Sequence, residues 1–338
     1  RKDLLKHEFN NEYKPLIVQE SKFIYFTEFV DDFLIKAPKL TNRNTKKKYA
    51  KARIKHYKKT NSRLKEFEKY SKIQIRIDEF TLSHYDNLVD YLKYKRGYAT
   101  NSVGGVIKNI KVFLKKAEEF GYVIHKDVRD KNFTVLKEDS VSIALNEDEI
   151  ERIFSHDFSK SKKLENCRDI AIIGLWTGLR VQDFLKLPKI NLSDDFITVQ
   201  PQKTKESSGI KVVIPLHHHI KEIIQKRGMP RMISDVKFNL YVKEVCKEVG
   251  LTDIVKGGKM VKENENSPYR KKIGFYPKHE LVSSHTCRRS FATNLYGELP
   301  TPLIMQITGH STEKMLLRYI GKSSLDYAKQ IDEFYKKQ

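Results

Sequence analysis

Apolar residues in this 338-residue chain fall at helical spacing over most of its length and alternate over only a few short stretches, which restricts the fold more than any other feature. Phe23, Phe26, Phe29, Val30 and Phe33 stand three and four apart, predicting a helix over about 22–35 that Pro38 closes. From Lys39 to Lys72 one long helix, or two, carries a sparse apolar face of Tyr49, Ile54, Tyr57, Leu64 and Phe67. Ile73, Ile75 and Ile77 alternate over a short extended stretch, and Leu88, Tyr91 and Leu92 mark a helix ending near Gly97. Thr100 or Asn101 is placed to cap the next helix, which runs up to Gly121. Four helices predict a small bundle over residues 21–122. Residues 123–141 are polar without sustained period and read as an interdomain linker, and residues 1–20 as an N-terminal extension.

The second half, residues 142–338, mixes the two periods. Asn146-Glu147-Asp148-Glu149 restarts a helix with an acidic first turn, favourable to the macrodipole. Helices are expected around 168–176 and 181–187. Phe196–Val199 and Ile210–Ile214 alternate as paired strands joined by a turn over Lys203 to Gly209, and Pro215 stops the second strand. Lys256 to Lys272, rich in Gly and Lys, reads as a surface loop, and the remainder as helical. The fold class is therefore mainly α with a small β-sheet, a helical bundle followed by a mixed α+β domain.

Charge narrows the function. Lys and Arg number 65 against 43 Asp and Glu, a formal net charge of +22 that attracts polyanions. Between Lys39 and Lys72 there are fourteen basic residues and two acids. A helix face built only for solubility intersperses both signs, so this run reads as contact with a nucleic acid backbone. Its candidates are Arg43, Lys46, Lys47, Lys48, Lys51, Arg53 and Lys55. No apolar run is long enough to cross a bilayer, and no secretory signal opens the chain, so a cytoplasmic, DNA-associated protein is expected. The three cysteines, Cys167, Cys246 and Cys287, are far apart and form no metal or redox pair.

Four segments then carry chemistry in a fixed order: Thr177-Gly178-Leu179-Arg180, His285-Thr286-Cys287-Arg288, Gly309-His310, and Tyr319. Singly, each has a plain structural reading. Arg180 could be a surface residue beside a helix end, His285 and Arg288 a polar helix face with Ser283 or Ser284 as N-cap, and Tyr319 a core residue with its hydroxyl at the surface. Together they supply what cleavage of a phosphodiester by a side-chain oxygen needs. A phenol can attack, arginine forks can hold the non-bridging oxygens at any working pH, and imidazoles can move protons.

With these motifs in this order, the chain resembles the tyrosine recombinase (phage integrase) family over its whole length, most of all integrases of conjugative transposons and related mobile elements. The resemblance implies that residues 21–122 form a core DNA-binding domain and 142–338 the catalytic domain with a C-terminal tail helix, with an arm-binding region either lacking or retained only partly in 1–20. It implies that Arg180 and Arg288 clamp the phosphate, that His285 orients or deprotonates the nucleophile, and that His310 is an auxiliary phosphate donor. Tyr319 would form a 3′-phosphotyrosyl link, and Asp183 would support the site. The general acid would be Lys203 in the hairpin turn, with Lys205 as its rival. The implied function is site-specific recombination for integration or excision, on double-stranded DNA, by a homotetramer assembled from free monomers, with accessory DNA-bending or excision proteins. Each phosphotyrosine conserves the bond energy, so neither metal nor cofactor is expected. The tail residues Tyr327, Ile331 and Phe334 would pack on their own domain or on a neighbouring protomer. A type IB topoisomerase, or a DNA-binding protein with a decayed site, are the alternatives.

Overall fold

The computed structural model describes residues 24–41, 46–139, 141–187, 195–201, 211–262, 264–265, 267, 269–321 and 324–336. Arg43, Lys203, Lys205 and the expected extension over 1–20 lie outside the described residues. The chain divides into two compact units, residues 1–139 and 140–338. Among the described residues, no helix is long and apolar enough to cross a membrane.

The first unit is a bundle of α1 (Phe26–Lys36), α2 (Lys51–Ser71), α3 (Leu82–Asp90) and α4 (Thr100–Glu119). Helix α1 buries Phe26, Phe29, Val30 and Phe33, the residues whose spacing predicts it. The basic run expected as helix from Lys39 is helical only over α2, which residues 46–50 lead into and which buries Ile54, Tyr57, Leu64 and Phe67. Aromatic rings fill the middle: Phe33 lies 6.1 Å from Tyr49 and Tyr57 and 6.0 Å from Phe113, and Tyr57 lies 5.2 Å from Phe113, mostly edge to face. The N-cap of α4 is Ala99, with no side-chain bond, so Thr100 and Asn101 fall inside the helix rather than capping it.

Most of the stretch expected as a linker over 123–141 packs on this unit. Phe133 is in its core, with Tyr122, Ile124, Val128, Val135 and Leu136 against it. The Tyr85 hydroxyl donates to the Thr134 carbonyl at 3.1 Å, and Asn101 Nδ2 donates to the Glu138 carbonyl at 2.8 Å. Single apolar residues pin this strap one at a time, which leaves no periodic pattern to read in the sequence.

The second unit surrounds α6 (Lys162–Thr177), whose Ile170, Ala171, Ile172, Ile173 and Leu175 are all buried, as befits a central helix apolar on every side. Around it lie α5 (Glu147–Ser155), α7 (Val181–Phe184), α8 (His218–Arg227) and α9 (Asp235–Glu248). Asn146 and Glu149 form a capping box at the acidic start of α5. Strands β1 (Phe196–Val199) and β2 (Val212–Pro215) pair antiparallel, Ile197 opposite Ile214 and Val199 opposite Val212, with these four side chains buried. The turn expected between them lies outside the described residues.

The stretch read as a surface loop over Lys256 to Lys272 is instead a second antiparallel hairpin, β3 (Ile254–Val261) and β4 (Arg270–Pro277). Gly257 sits opposite Gly274 where Leu281 comes so near that a Cβ on Gly257 would lie 2.4 Å from its Cδ1. Glycines and lysines on both faces leave neither one apolar, which hides the alternation. After it come α10 (Lys278–Leu281), α11 (Ser284–Leu295), α12 (Thr301–Thr308), α13 (Glu313–Leu317) and α14 (Ser324–Lys336). Gly174 lets α11 approach α6 closely, with a Cβ there only 3.3 Å from Cys287 Cβ. Ala292, Ile304, Leu316 and Ile320 form a small core joining α11, α12 and α13. All three cysteines are buried and free.

Candidate active site

Two turns and one helix of the second unit carry the arginines and histidines of the site. Helix α6 ends at Gly178, whose φ of +58° is left-handed and where a Cβ would lie 2.4 Å from the Phe291 ring, so only glycine fits. The chain then turns through buried Leu179 and presents Arg180 at the start of α7. Helix α12 ends likewise at Gly309, φ +59°, and turns to His310. The Arg180 guanidinium nitrogens come within 3.7 Å of the point where a Gly309 side chain would begin, so the two turns meet. Ser283 caps α11 in a capping box with Thr286, which places His285 in its first turn and Arg288 one turn on.

These elements converge on a cleft of about 950 Å³ lined by Arg180, Asp183, His285, Arg288, His310 and Tyr319. Every described residue expected in the site on sequence grounds is therefore in one place, and Lys203 and Lys205 fall outside the described residues. The Tyr319 hydroxyl lies 2.9 Å from His285 Nδ1 and also contacts Nε2, with the two rings edge to face at 4.8 Å. The His310 ring stands 4.8 Å from the tyrosine ring, tilted against it.

Electrostatics divide the roles. Arg288 is 3 % exposed and donates from Nη1 to the Gly178 carbonyl at 2.8 Å, which fixes its fork. Burial above all, then the neighbouring Arg180, pushes its pKa down to about 9, against the pull of Asp183, so it remains a cation at neutral pH. Two arginines this close repel unless an anion lies between them. His285 is held below the ordinary imidazole value by burial first, then by Arg289, Arg288 and Arg180. It is neutral at pH 7 and has a lone pair for the proton of the hydroxyl it touches. Thr308 Oγ1 donates to the Ile304 carbonyl at 2.5 Å and lies 2.9 Å from His310 Nδ1, a contact that orients the ring.

The arrangement can hold one tetrahedral anion between fixed cations and bring an activated phenol to it. Sequence reasoning did not find Arg318, which also lines the cleft, or Thr308, whose hydroxyl orients the His310 ring. Their only signal is adjacency to the motif residues.

Among the candidate DNA-contacting residues of the first unit, Lys46, Lys47, Lys48, Lys51, Arg53 and Lys55 are all exposed. Lys51 opens α2, whose first turn holds no acid and whose N-cap Ala50 makes no side-chain bond. Cations placed at the positive end of a helix dipole are mutually unfavourable and suited to an incoming anion.

Residues 144–324 match the phage integrase family and residues 25–135 the phage integrase SAM-like domain. Among solved structures, the Tn1549 transposon integrase in complex with transposon right end DNA is similar at 15% identity and a TM-score of 0.62, over 93% of this chain and 100% of that one. A lambda integrase dimer bound to a COC′ core site is similar at 15% identity and a TM-score of 0.60, over 88% of this chain and 78% of that one. A lambda integrase tetramer bound to a Holliday junction gives 16% and 0.59, over 89% and 80%. No curated protein sequence matches.

Proposed function

The chain belongs to the phage integrase family, the tyrosine recombinases, and from that premise we propose that it is a site-specific DNA recombinase that integrates or excises a mobile element. The observation that carries this reading is the Tyr319 hydroxyl 2.9 Å from His285 Nδ1 inside the cleft that Arg180 and Arg288 line. The scissile phosphate sits between the two arginines, whose forks hold its non-bridging oxygens, while Asp183 offsets part of their repulsion. Tyr319 Oη attacks phosphorus as its proton passes to His285. The bond to the 5′ oxygen breaks, and that oxygen takes a proton from Lys203 or Lys205. The products are a 3′-phosphotyrosyl link and a 5′-hydroxyl. His310 donates to a non-bridging oxygen. Attack by a 5′-hydroxyl from a second duplex reverses the chemistry and exchanges the strand, without metal or nucleotide.

The exposed cations of α2 bind the DNA backbone. Exchange between two duplexes takes four protomers, and a related lambda integrase is a tetramer on a Holliday junction. The tail helix α14 leaves Tyr327 and Ile331 37% and 53% exposed, which suits docking on a neighbouring protomer, while Tyr327 also keeps an edge contact with Tyr296 at 6.2 Å. The side chain of Phe334, expected in the same stripe, lies outside the described residues.

A plasmid carrying two copies of the element's end sequence tests the reading. Resolution into two circles is expected. Relaxation of supercoils with no exchanged product would instead make the protein a type IB topoisomerase, and binding with no covalent product would make it a decayed site.

A further inference from the structure

Arg289, the residue after the motif arginine, is 7 % exposed, and among the described residues no carboxylate pairs with it. A buried cation without a counter-ion is costly, and the same unit has the ordinary solution elsewhere. Buried Arg168 donates to Asp169 at 2.7 Å, and Arg227 grips the same carboxylate with two bonds of 2.8 Å. What Arg289 touches is the Tyr319 segment. Its Nη1 donates to the Tyr319 carbonyl at 2.5 Å, both Nη atoms lie 3.5 Å from the Arg318 carbonyl, and the guanidinium carbon stands 4.9 Å over the Tyr319 ring. Its buried Nε has no hydrogen-bond partner.

The spacing along α11 gives these contacts their meaning. His285, Arg289 and Thr293 are four apart and so share one helical face. His285 meets the Tyr319 hydroxyl, Arg289 the Tyr319 carbonyl, and Thr293 Oγ1 accepts from the Gly321 amide at 3.1 Å. Leu316 and Ile320 anchor the segment in the small core on either side of Tyr319. We propose that Arg289 is a positioning residue that fixes the backbone and ring of Tyr319 on the same rigid face that offers His285 to its hydroxyl. Nucleophile and proton acceptor are then set by one element. The inference rests on Tyr319 being the nucleophile.

The test uses the whole protein on a nicked suicide substrate whose cleaved end diffuses away. Arg289→Met removes an unpaired buried charge, so the thermal midpoint is expected to hold or rise, while the single-turnover rate of adduct formation falls about 100-fold, as a misplaced nucleophile predicts. Arg289→Lys keeps the charge without the fork and is expected to be slowed about tenfold or more, with DNA affinity unchanged. In a Tyr319→Ala background with hydrogen peroxide as external nucleophile there is no tyrosine to place, so adding Arg289→Lys should leave cleavage as it was. Equal slowing with peroxide would assign Arg289 to the phosphate pocket instead. Destabilisation by Arg289→Met with an unchanged adduct rate per folded molecule would make it a structural residue. Both results overturn the proposal while Tyr319 stays the nucleophile. An adduct mapped to another residue would overturn the reading beneath it as well.

Discussion

The two units dispose of positive charge in opposite ways. In the first, no Lys or Arg among the described residues is buried; rings such as Phe33, Tyr57 and Phe113 fill the core and the cations of α2 stay in solvent. In the second, Arg168, Arg288 and Arg289 are buried at 4, 3 and 7 % exposure, along with Asp169 and Asp183. Exposed cations act through screened, additive attraction that tolerates any phosphate. Buried ones are held in one geometry, in a medium where charge interactions are strong, and so suit a single phosphate in a single state. Under the proposed function, one unit supplies affinity and the other chemistry.

The sharpest break between them is expected from removal of a clamping arginine. Arg180→Ala and Arg288→Ala should each slow single-turnover cleavage by about 100 to 1000 fold or more, the usual effect of removing one fixed donor, with most of the salt-dependent affinity retained. A parallel fall in binding and cleavage would erase the division.

Asp169→Ala tests the structural side of the same contrast. It strands Arg168 and frees Arg227, and calorimetry should show the second unit destabilised by about 3–5 kcal/mol with unfolding of the first unchanged.

pH comes next. Because burial and three arginines hold His285 below its ordinary 6.5, its neutral form persists into mild acid. The midpoint for loss of adduct formation on acidification should therefore lie below 6.5. A midpoint above 6.5 would mean that the imidazole is not the proton acceptor.

The smallest effect belongs to the first unit. Lys51→Gln should flatten the slope of log affinity against log salt by about 0.9, since one phosphate fewer is neutralised, with cleavage of bound DNA unchanged.

The same contrast governs what the sequence made legible. Helix α1 was readable because Phe26, Phe29, Val30 and Phe33 repeat on one face, and the cationic face of α2 because its sign imbalance is extreme. The β3–β4 hairpin was not, since glycines and lysines interrupt both of its faces. Nor was the packing of 123–136, where lone residues such as Phe133 fill the role that periodic ones have elsewhere. In the site, Arg180, His285, Arg288, His310 and Tyr319 could be read as a set because their chemistry constrains residue type. Arg289, Thr293 and Thr308 escaped because they act on backbone groups or through another side chain, and such partners leave no mark in a sequence.

The central claim is that the Tyr319 hydroxyl, set against His285, forms the covalent link to DNA. Trapping the adduct on a suicide substrate, digesting it with protease and sequencing the nucleotide-bearing peptide by mass spectrometry tests this most directly. A 3′-phosphate on the peptide containing Tyr319 is expected, with no adduct from Tyr319→Phe, which should bind DNA as the wild type does. A phosphopeptide carrying any other residue, or an undiminished adduct from Tyr319→Phe, would contradict the claim.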